Sequence, residues 1–235
     1  MTKTLTAKGF SFDVLKGLVF SPVTTAINIA IMGPPGAGKT TLCQSLLKEA
    51  VEVGLKVLYV VTNNPVQLVR DQIRALGILS QANSDQVFFV DGYSWLLGER
   101  SEERFQIENA SDMAGLSVIL SGAAESVGEE TFIVFDSPST LLAYNTEELT
   151  VRFLKSHLAR MKRHWNIGTY AFETGIHSIS FYNEVKADFD TIIELKLEEV
   201  DGELRRFVRI YAYRGGHETK WFRLLIAPDR SVKIY

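Results

Sequence analysis

Gly33-Pro34-Pro35-Gly36-Ala37-Gly38-Lys39-Thr40-Thr41 decides how this chain is read. The stretch fills the pattern GxxxxGK[ST] with Gly33, Gly38, Lys39 and Thr40, and the context that the pattern requires is present on both sides. Upstream, Ile27-Asn28-Ile29-Ala30-Ile31-Met32 is a short apolar run suited to a buried parallel strand. Downstream, Leu42, Cys43, Leu46, Leu47, Ala50 and Val51 share one helical face, and Gly54 supplies the stop. Backbone N–H groups that curl around an anion need glycine where a Cβ would block the approach or where φ is positive. The following helix points its positive end at the same anion. Lys39 is placed to reach β- and γ-phosphates, and the Thr40 hydroxyl to complete a Mg²⁺ shell that otherwise keeps several waters. The competing reading is a turn that binds nothing, and the strand and helix on either side argue against it.

Composition agrees with an ordinary globular protein. The 235 residues are 46% hydrophobic and 23% charged, enough to bury a sizeable core, and one domain spanning 1–235 is expected. The formal net charge of −3 gives no whole-protein attraction to nucleic acid, although a local basic patch remains compatible with it. With one cysteine, Cys43, no intramolecular disulfide can form, and a buried thiol in a reducing compartment is expected. No apolar run approaches the ~20 residues of a membrane span, and Met1 to Phe12 lacks a signal-peptide core, so a cytoplasmic protein is expected.

Working outward, residues 1–26 hold Gly9, Gly17 and Pro22 among isolated apolar positions and read as turns and edge pieces. Strands are expected at Lys56 to Thr62, Val87 to Val90, Thr131 to Phe135 and Gly168 to Glu173, with helices from Pro65 to Gly77 and from Met113 to Val127. Ser94 to Gly98 suggests a short helical piece, and the charged, aperiodic Arg100 to Asp112 a mobile surface loop. Asn145 and Thr146 can cap a long helix whose inward stripe is Val151, Leu154, Leu158, Met161 and Trp165. A short helix is expected around Asn183 to Ala187. After it the period changes to that of strands, at Ile192 to Glu198, Arg205 to Tyr213, Lys220 to Ala227 and Val232 to Tyr235, with an Asp201-Gly202 hairpin turn. Phe207, Tyr211, Tyr213 and Trp221 on these strands are expected in the core. Arg160, Lys162, Arg163 and His164 suit a helix C-terminus, and with Arg205, Arg206 and Arg209 they leave a thin case for an anionic partner.

A phosphate loop needs an acid at the end of a buried strand to place magnesium, and Asp136 after Phe132-Ile133-Val134-Phe135 fits; the alternative is a cap for the Pro138-Ser139 turn. Phosphate loop, Asp136-Ser137, Glu173-Thr174, and hairpins with Arg214-Gly215 and His217 together resemble the RecA superfamily, and within it single-domain relatives of the clock ATPase KaiC. The resemblance runs from about Phe12 to the end and includes Val90-Asp91-Gly92-Tyr93-Ser94. It implies an α/β, RecA-like P-loop NTPase fold: a mostly parallel sheet between helices, with antiparallel strands at the C-terminal side. It also implies ATP and Mg²⁺ as ligands, with Gly33 to Thr41, Asn63, Asn64, Asp136 and Arg214 around the nucleotide and Thr40 and Asp136 at the metal.

Two departures from the family pattern matter. Active relatives end the strand after the phosphate-loop helix with paired glutamates, one of which activates water, and the matching residues here are Asn63 and Asn64. An amide orients water but cannot take its proton near neutral pH. Asn64 can instead cap the helix from Pro65, with Gln67 completing a capping-box-like pair. The family also presents a lysine and an arginine to the neighbouring subunit's γ-phosphate; the matching positions are Ala212 and Arg214, which leaves Arg214 for a homo-oligomer contact. Glu173 and Asp91 both end strands at the carboxyl edge and are the candidate replacement bases. The reading is thus Mg-ATP binding with weak or absent hydrolysis, acting as a nucleotide-gated regulator or scaffold for a protein partner. Its rivals are a ring-forming ATPase using Glu173 or Asp91, and a recombinase-like DNA-binding paralogue, against which the net charge argues.

Overall fold

The computed structural model describes residues 12–19, 27–164 and 166–235. Gly9, Pro22 and Trp165 lie outside the described residues. The phosphate-loop strand is β1 (Asn28–Gly33), buried at every position. There follow α1 (Lys39–Glu52), β2 (Val57–Val61), α2 (Val66–Ala75), β3 (Val87–Asp91), β4 (Phe105–Gln106), α3 (Met113–Val127), β5 (Phe132–Asp136), α4 (Glu147–Arg163), β6 (Ile167–Glu173), α5 (Ile179–Asp188), β7 (Thr191–Val200), β8 (Glu203–Ala212), β9 (Phe222–Ile226) and β10 (Val232–Ile234).

These strands form one sheet in the order β10-β9-β8-β7-β1-β6-β5-β2-β3-β4. The pairs from β7 through β1 to β4 are parallel, and the β7–β8, β8–β9 and β9–β10 pairs are antiparallel. The architecture is the α/β, mostly parallel sheet with antiparallel C-terminal strands that the sequence implied. Alternate β1 residues face opposite cores: Ile29 and Ile31 pack with Leu42, Leu46 and Leu47 of α1 and Ile73 of α2, while Ala30 and Met32 pack with residues of α3, α4 and α5. Each fully buried leucine or isoleucine contributes about 1.5–3 kcal/mol by leaving water, so both cores hold β1 in the middle of the sheet. The carboxyl ends of β1, β6, β5 and β2 consequently share one edge, where the phosphate loop emerges.

Several elements differ from the sequence expectation. Arg100 to Asp112 is anchored: Phe105 and Gln106 pair with Val90 and Asp91, Ile107 and Ala110 are buried, and Glu103 pairs with Arg70. A two-residue strand is too short to show a period. Helix α5 starts at Ile179, ahead of Asn183, because the Ser178 hydroxyl oxygen caps it by accepting from the Phe181 N–H at 3.0 Å. Thr146 alone caps α4, while the Asn145 amide donates to the Ala110 and Leu141 carbonyls. The Asn64–Gln67 capping pair does not form: Pro65 precedes α2 without a side-chain cap, and Gln67 donates to Asp71. The turn Asp201-Gly202 does link β7 to β8, with φ of +55° and +75° as a tight hairpin requires. Tyr211 is 51% exposed, and Phe207 and Trp221 are half-buried, so these aromatics are not core. No helix among the described residues is long and apolar enough to cross a membrane.

Candidate nucleotide site

The loop after β1 can turn back on itself only because of its glycines. Gly38 has φ of +99°, and a Cβ there would lie 2.7 Å from Ile226 Cδ1; at Gly33 a Cβ would lie 2.9 Å from Leu195 Cβ. The side of the hairpin sheet carrying Leu195, Leu197, Leu224 and Ile226 therefore forms the wall against which the loop is wound. Helix α1 begins at Lys39 with no side-chain cap, so its first N–H groups are directed to the loop's concavity, an arrangement suited to an anion.

The site's side chains converge on this point. Lys39 Nζ donates to the carbonyls of Gly33 at 2.9 Å and Pro34 at 2.8 Å, and pairs with Glu173 at 3.0 Å, so all three N–H groups have acceptors. The Thr40 hydroxyl donates to Asp136 Oδ2 at 2.7 Å. Asp136 is thus at the loop, and the cap of the Pro138-Ser139 turn is the Ser137 hydroxyl, which accepts from the Ser139 N–H. Burial raises the Asp136 carboxyl above its ordinary value and the Glu173 charge adds to this, against opposing effects of Thr40 and Lys39. A half-buried hydroxyl and carboxylate in contact, with the acid's charge disfavoured, suit a hard cation that adds its own charge and brings waters, as Mg²⁺ does. Among the described residues no three His, Cys, Asp or Glu side chains cluster as a denser metal site would require.

Other sequence candidates fall at different distances. Glu173 ends β6 beside Gly33 and is the carboxylate nearest Lys39; Ser139 Oγ accepts from its N–H at 2.9 Å and the Tyr182 hydroxyl donates to its carbonyl at 2.8 Å. Asn63 and Asn64 are exposed just past β2, the neighbour of β5. The Asn63 carbonyl oxygen accepts from the Thr140 hydroxyl, which also contacts Thr62. Asp91 is not part of this constellation: it lies two strands from Asp136 and accepts from the Tyr93 and Ser94 N–H groups and the Ser94 and Ser101 hydroxyls, at 2.6–3.0 Å. Arg214 is at the opposite, amino edge, paired with buried Asp190, which also accepts from Asn28 N–H and Lys162. Asn28 and Gly33 are five residues apart along β1, about 16 Å at roughly 3.3 Å each, so Arg214 does not serve its own loop.

The sequence placed Arg206 only among the hairpin cations and gave no signal for Gln44. Arg206 Nε donates to the Gly36 carbonyl at 2.9 Å, a contact that only the β7–β8 register reveals. Beyond Thr41 a groove of about 700 Å³ runs along α1, lined by Gln44, Ser45 and Lys48 and closed by Asp229 to Val232. Gln44 is 1% exposed, and its side chain acts on the buried Tyr59 hydroxyl beside it.

Comparison with known proteins gives the family. Residues 22–235 match the family described as "ATPase: KaiC". The chain is 24% identical to a UPF0273 protein of Thermotoga maritima, the alignment covering 88% of this chain and 86% of the relative. It is 26% identical to a UPF0273 protein of Methanocaldococcus jannaschii (88% and 90%) and 28% identical to one of Aeropyrum pernix (88% and 84%).

Proposed function

We propose that this chain, which belongs to the KaiC ATPase family, binds Mg-ATP and hydrolyses it slowly or not at all, acting in the cytoplasm as a nucleotide-gated regulator or scaffold for a protein partner. The observation that carries the proposal is the Thr40–Asp136 contact at the head of α1, beside Lys39, with Asn63 and Asn64 on the neighbouring strand end. In this reading the loop N–H groups of Gly36 and of Gly38 to Thr41, with the Lys39 ammonium, would hold the phosphates, the Ala37 N–H being used by the Pro34 carbonyl, and Thr40 and Asp136 would hold Mg²⁺, which would supply charge neutralisation. The nucleoside end would lie in the groove past Thr41, where Ser45 and Lys48 line the wall.

Hydrolysis needs a base, and neither amide supplies one. Calorimetry of ATP with Mg²⁺ and steady-state turnover, on the wild type and on Asn63→Glu and Asn64→Glu, test this. Binding without turnover in the wild type, with turnover raised at least tenfold by one of the glutamates, is expected. Ready wild-type turnover would sink the proposal.

One observation favours a second reading, an active ATPase in which Glu173 is the base: its carboxylate lies 3.0 Å from Lys39 Nζ, at the phosphate end of the site. Glu173→Gln separates the two, because it abolishes turnover only where Glu173 takes the proton. Such an enzyme would act in a ring, with the neighbour's Arg214 released from Asp190. Asp91 is a poor base in either reading, since four donors already hold its oxygens.

A further inference from the structure

The hairpin sheet that walls the phosphate loop has a second face, and the register defines it. Glu194, Lys196 and Glu198 of β7 lie opposite Arg209, Phe207 and Arg205 of β8, Phe207 lies opposite Arg223 of β9, and Leu225 lies opposite Lys233 of β10. These residues point away from the core side occupied by Leu195, Val208 and Leu224. The face gathers Lys196, Arg205, Arg209, Arg223 and Lys233, joined by Lys186 from α5, against Glu194 and Glu198, with Asp201 and Glu203 at the rim. Cations therefore outnumber acids here in a chain whose net charge is −3.

Aromatic rings are interleaved with these charges. Lys186 Nζ lies 4.1 Å from the centroid of the Tyr211 ring, Arg209 lies 4.5 Å from that of Trp221, and Lys196 lies 4.7 Å from Trp221 and 5.1 Å from Phe207. Glu194 bridges Lys186 and Arg209 at 2.5 and 2.6 Å, which fixes both cations over their rings and leaves further N–H groups for a ligand. Arg223 and Lys233 are exposed and make no ion pair among the described residues. Fixed cations and π-faces on one open sheet are the two elements that bind a flexible polyanion with flat bases: phosphates meet the cations while bases stack on rings. An acidic peptide would use the charges and leave the rings without a role.

We infer that the outer face of β7–β10 is a binding surface for single-stranded nucleic acid, with Arg223 and Lys233 contacting phosphates and Tyr211 stacking a base. The face is on the opposite side of the hairpin sheet from the phosphate loop, so the inference does not rest on nucleotide binding.

The test is fluorescence anisotropy of a labelled oligothymidylate of about 20 nucleotides, longer than the sites such surfaces cover, titrated with the full chain at several salt concentrations. Binding is expected to weaken with salt, log K falling against log [salt] with a slope of about −2 to −3. Arg223→Glu with Lys233→Glu should weaken binding at least tenfold and flatten the slope by about 1.4, two contacts at roughly 0.7 each. Tyr211→Ala should weaken it about tenfold and leave the slope unchanged. The melting temperature of these surface variants should stay at the wild-type value. Absence of binding at low salt, binding that ignores the variants, or loss on Lys39→Ala instead would overturn the inference. So would equal binding of a DNA duplex of the same length or of polyglutamate, or a change in sedimentation of the double variant, which would mark the face as a contact between copies.

Discussion

Asp136 and Asp91 end parallel strands on either side of β2, and both are registered with the same residue, Val61. Their surroundings could hardly differ more. Burial pushes the Asp91 carboxyl up, but hydrogen bonds from the Ser101 and Ser94 hydroxyls and the Ser94 and Tyr93 N–H groups outweigh it and hold the carboxyl below its ordinary value. At Asp136 burial wins, and one hydroxyl from Thr40 does not offset it. Asp190, at the far edge, resembles Asp91: it is buried and shared among Asn28, Lys162 and Arg214. A strand-end acid whose acceptors are filled serves the fold, and one whose charge is left wanting a counter-ion is a candidate for a ligand, the role proposed for Asp136.

That contrast can be broken by substitution. Asp190→Ala should have the largest effect, about 3 kcal/mol lost in denaturant unfolding, because it leaves the buried Asn28 N–H without its acceptor and takes the counter-charge from partly exposed Lys162. Asp91→Ala should cost about 2–3 kcal/mol through the N–H groups it leaves unpaired, with ATP affinity unchanged by calorimetry. Asp136→Asn should do the reverse: the melting temperature holds while the Mg²⁺-dependent part of ATP affinity drops about 10–100-fold. If Asp91→Ala weakened Mg-ATP binding and Asp136→Asn did not, the contrast would have its two members exchanged.

Acidification gives the smallest and sharpest separation. The raised Asp136 carboxyl takes up a proton at higher pH than a free carboxylate, so Mg²⁺-dependent ATP affinity should fall as pH drops through that raised value. Asp91 is depressed, so its contribution to stability is complete above the ordinary value of 3.8 and is lost only as pH falls through the lowered one. Affinity should therefore fail before stability does, when calorimetry and unfolding are followed along the same pH series.

Much of this was legible in the residues. The phosphate loop, its strand and helix, Asp136, and the change from alternating strands and helices to hairpins were all carried by local pattern, which the final structure preserves. What stayed hidden was register. That Arg214 pairs with Asp190, that Arg206 reaches Gly36, and that Phe207, Tyr211 and Trp221 share a face with Arg209 and Arg223 follow only once β7, β8 and β9 are aligned. Asp91 misled for a related reason: its two side-chain donors include Ser101, ten residues away in a segment with no periodicity to announce its anchoring.

The central place of β1 has a further consequence, for how occupancy of the site can be observed. With β6 and β7 on either side, the amide hydrogens of Ile29 to Met32 exchange with solvent only when the middle of the sheet opens. A ligand on the loop at the end of that strand is thus coupled to the slowest-opening part of the molecule. Saturation at a hundred times Kd adds about 2.7 kcal/mol to global opening, which should slow exchange of these amides about a hundredfold. The deuterium uptake of four core residues then reports what the surface loop has bound.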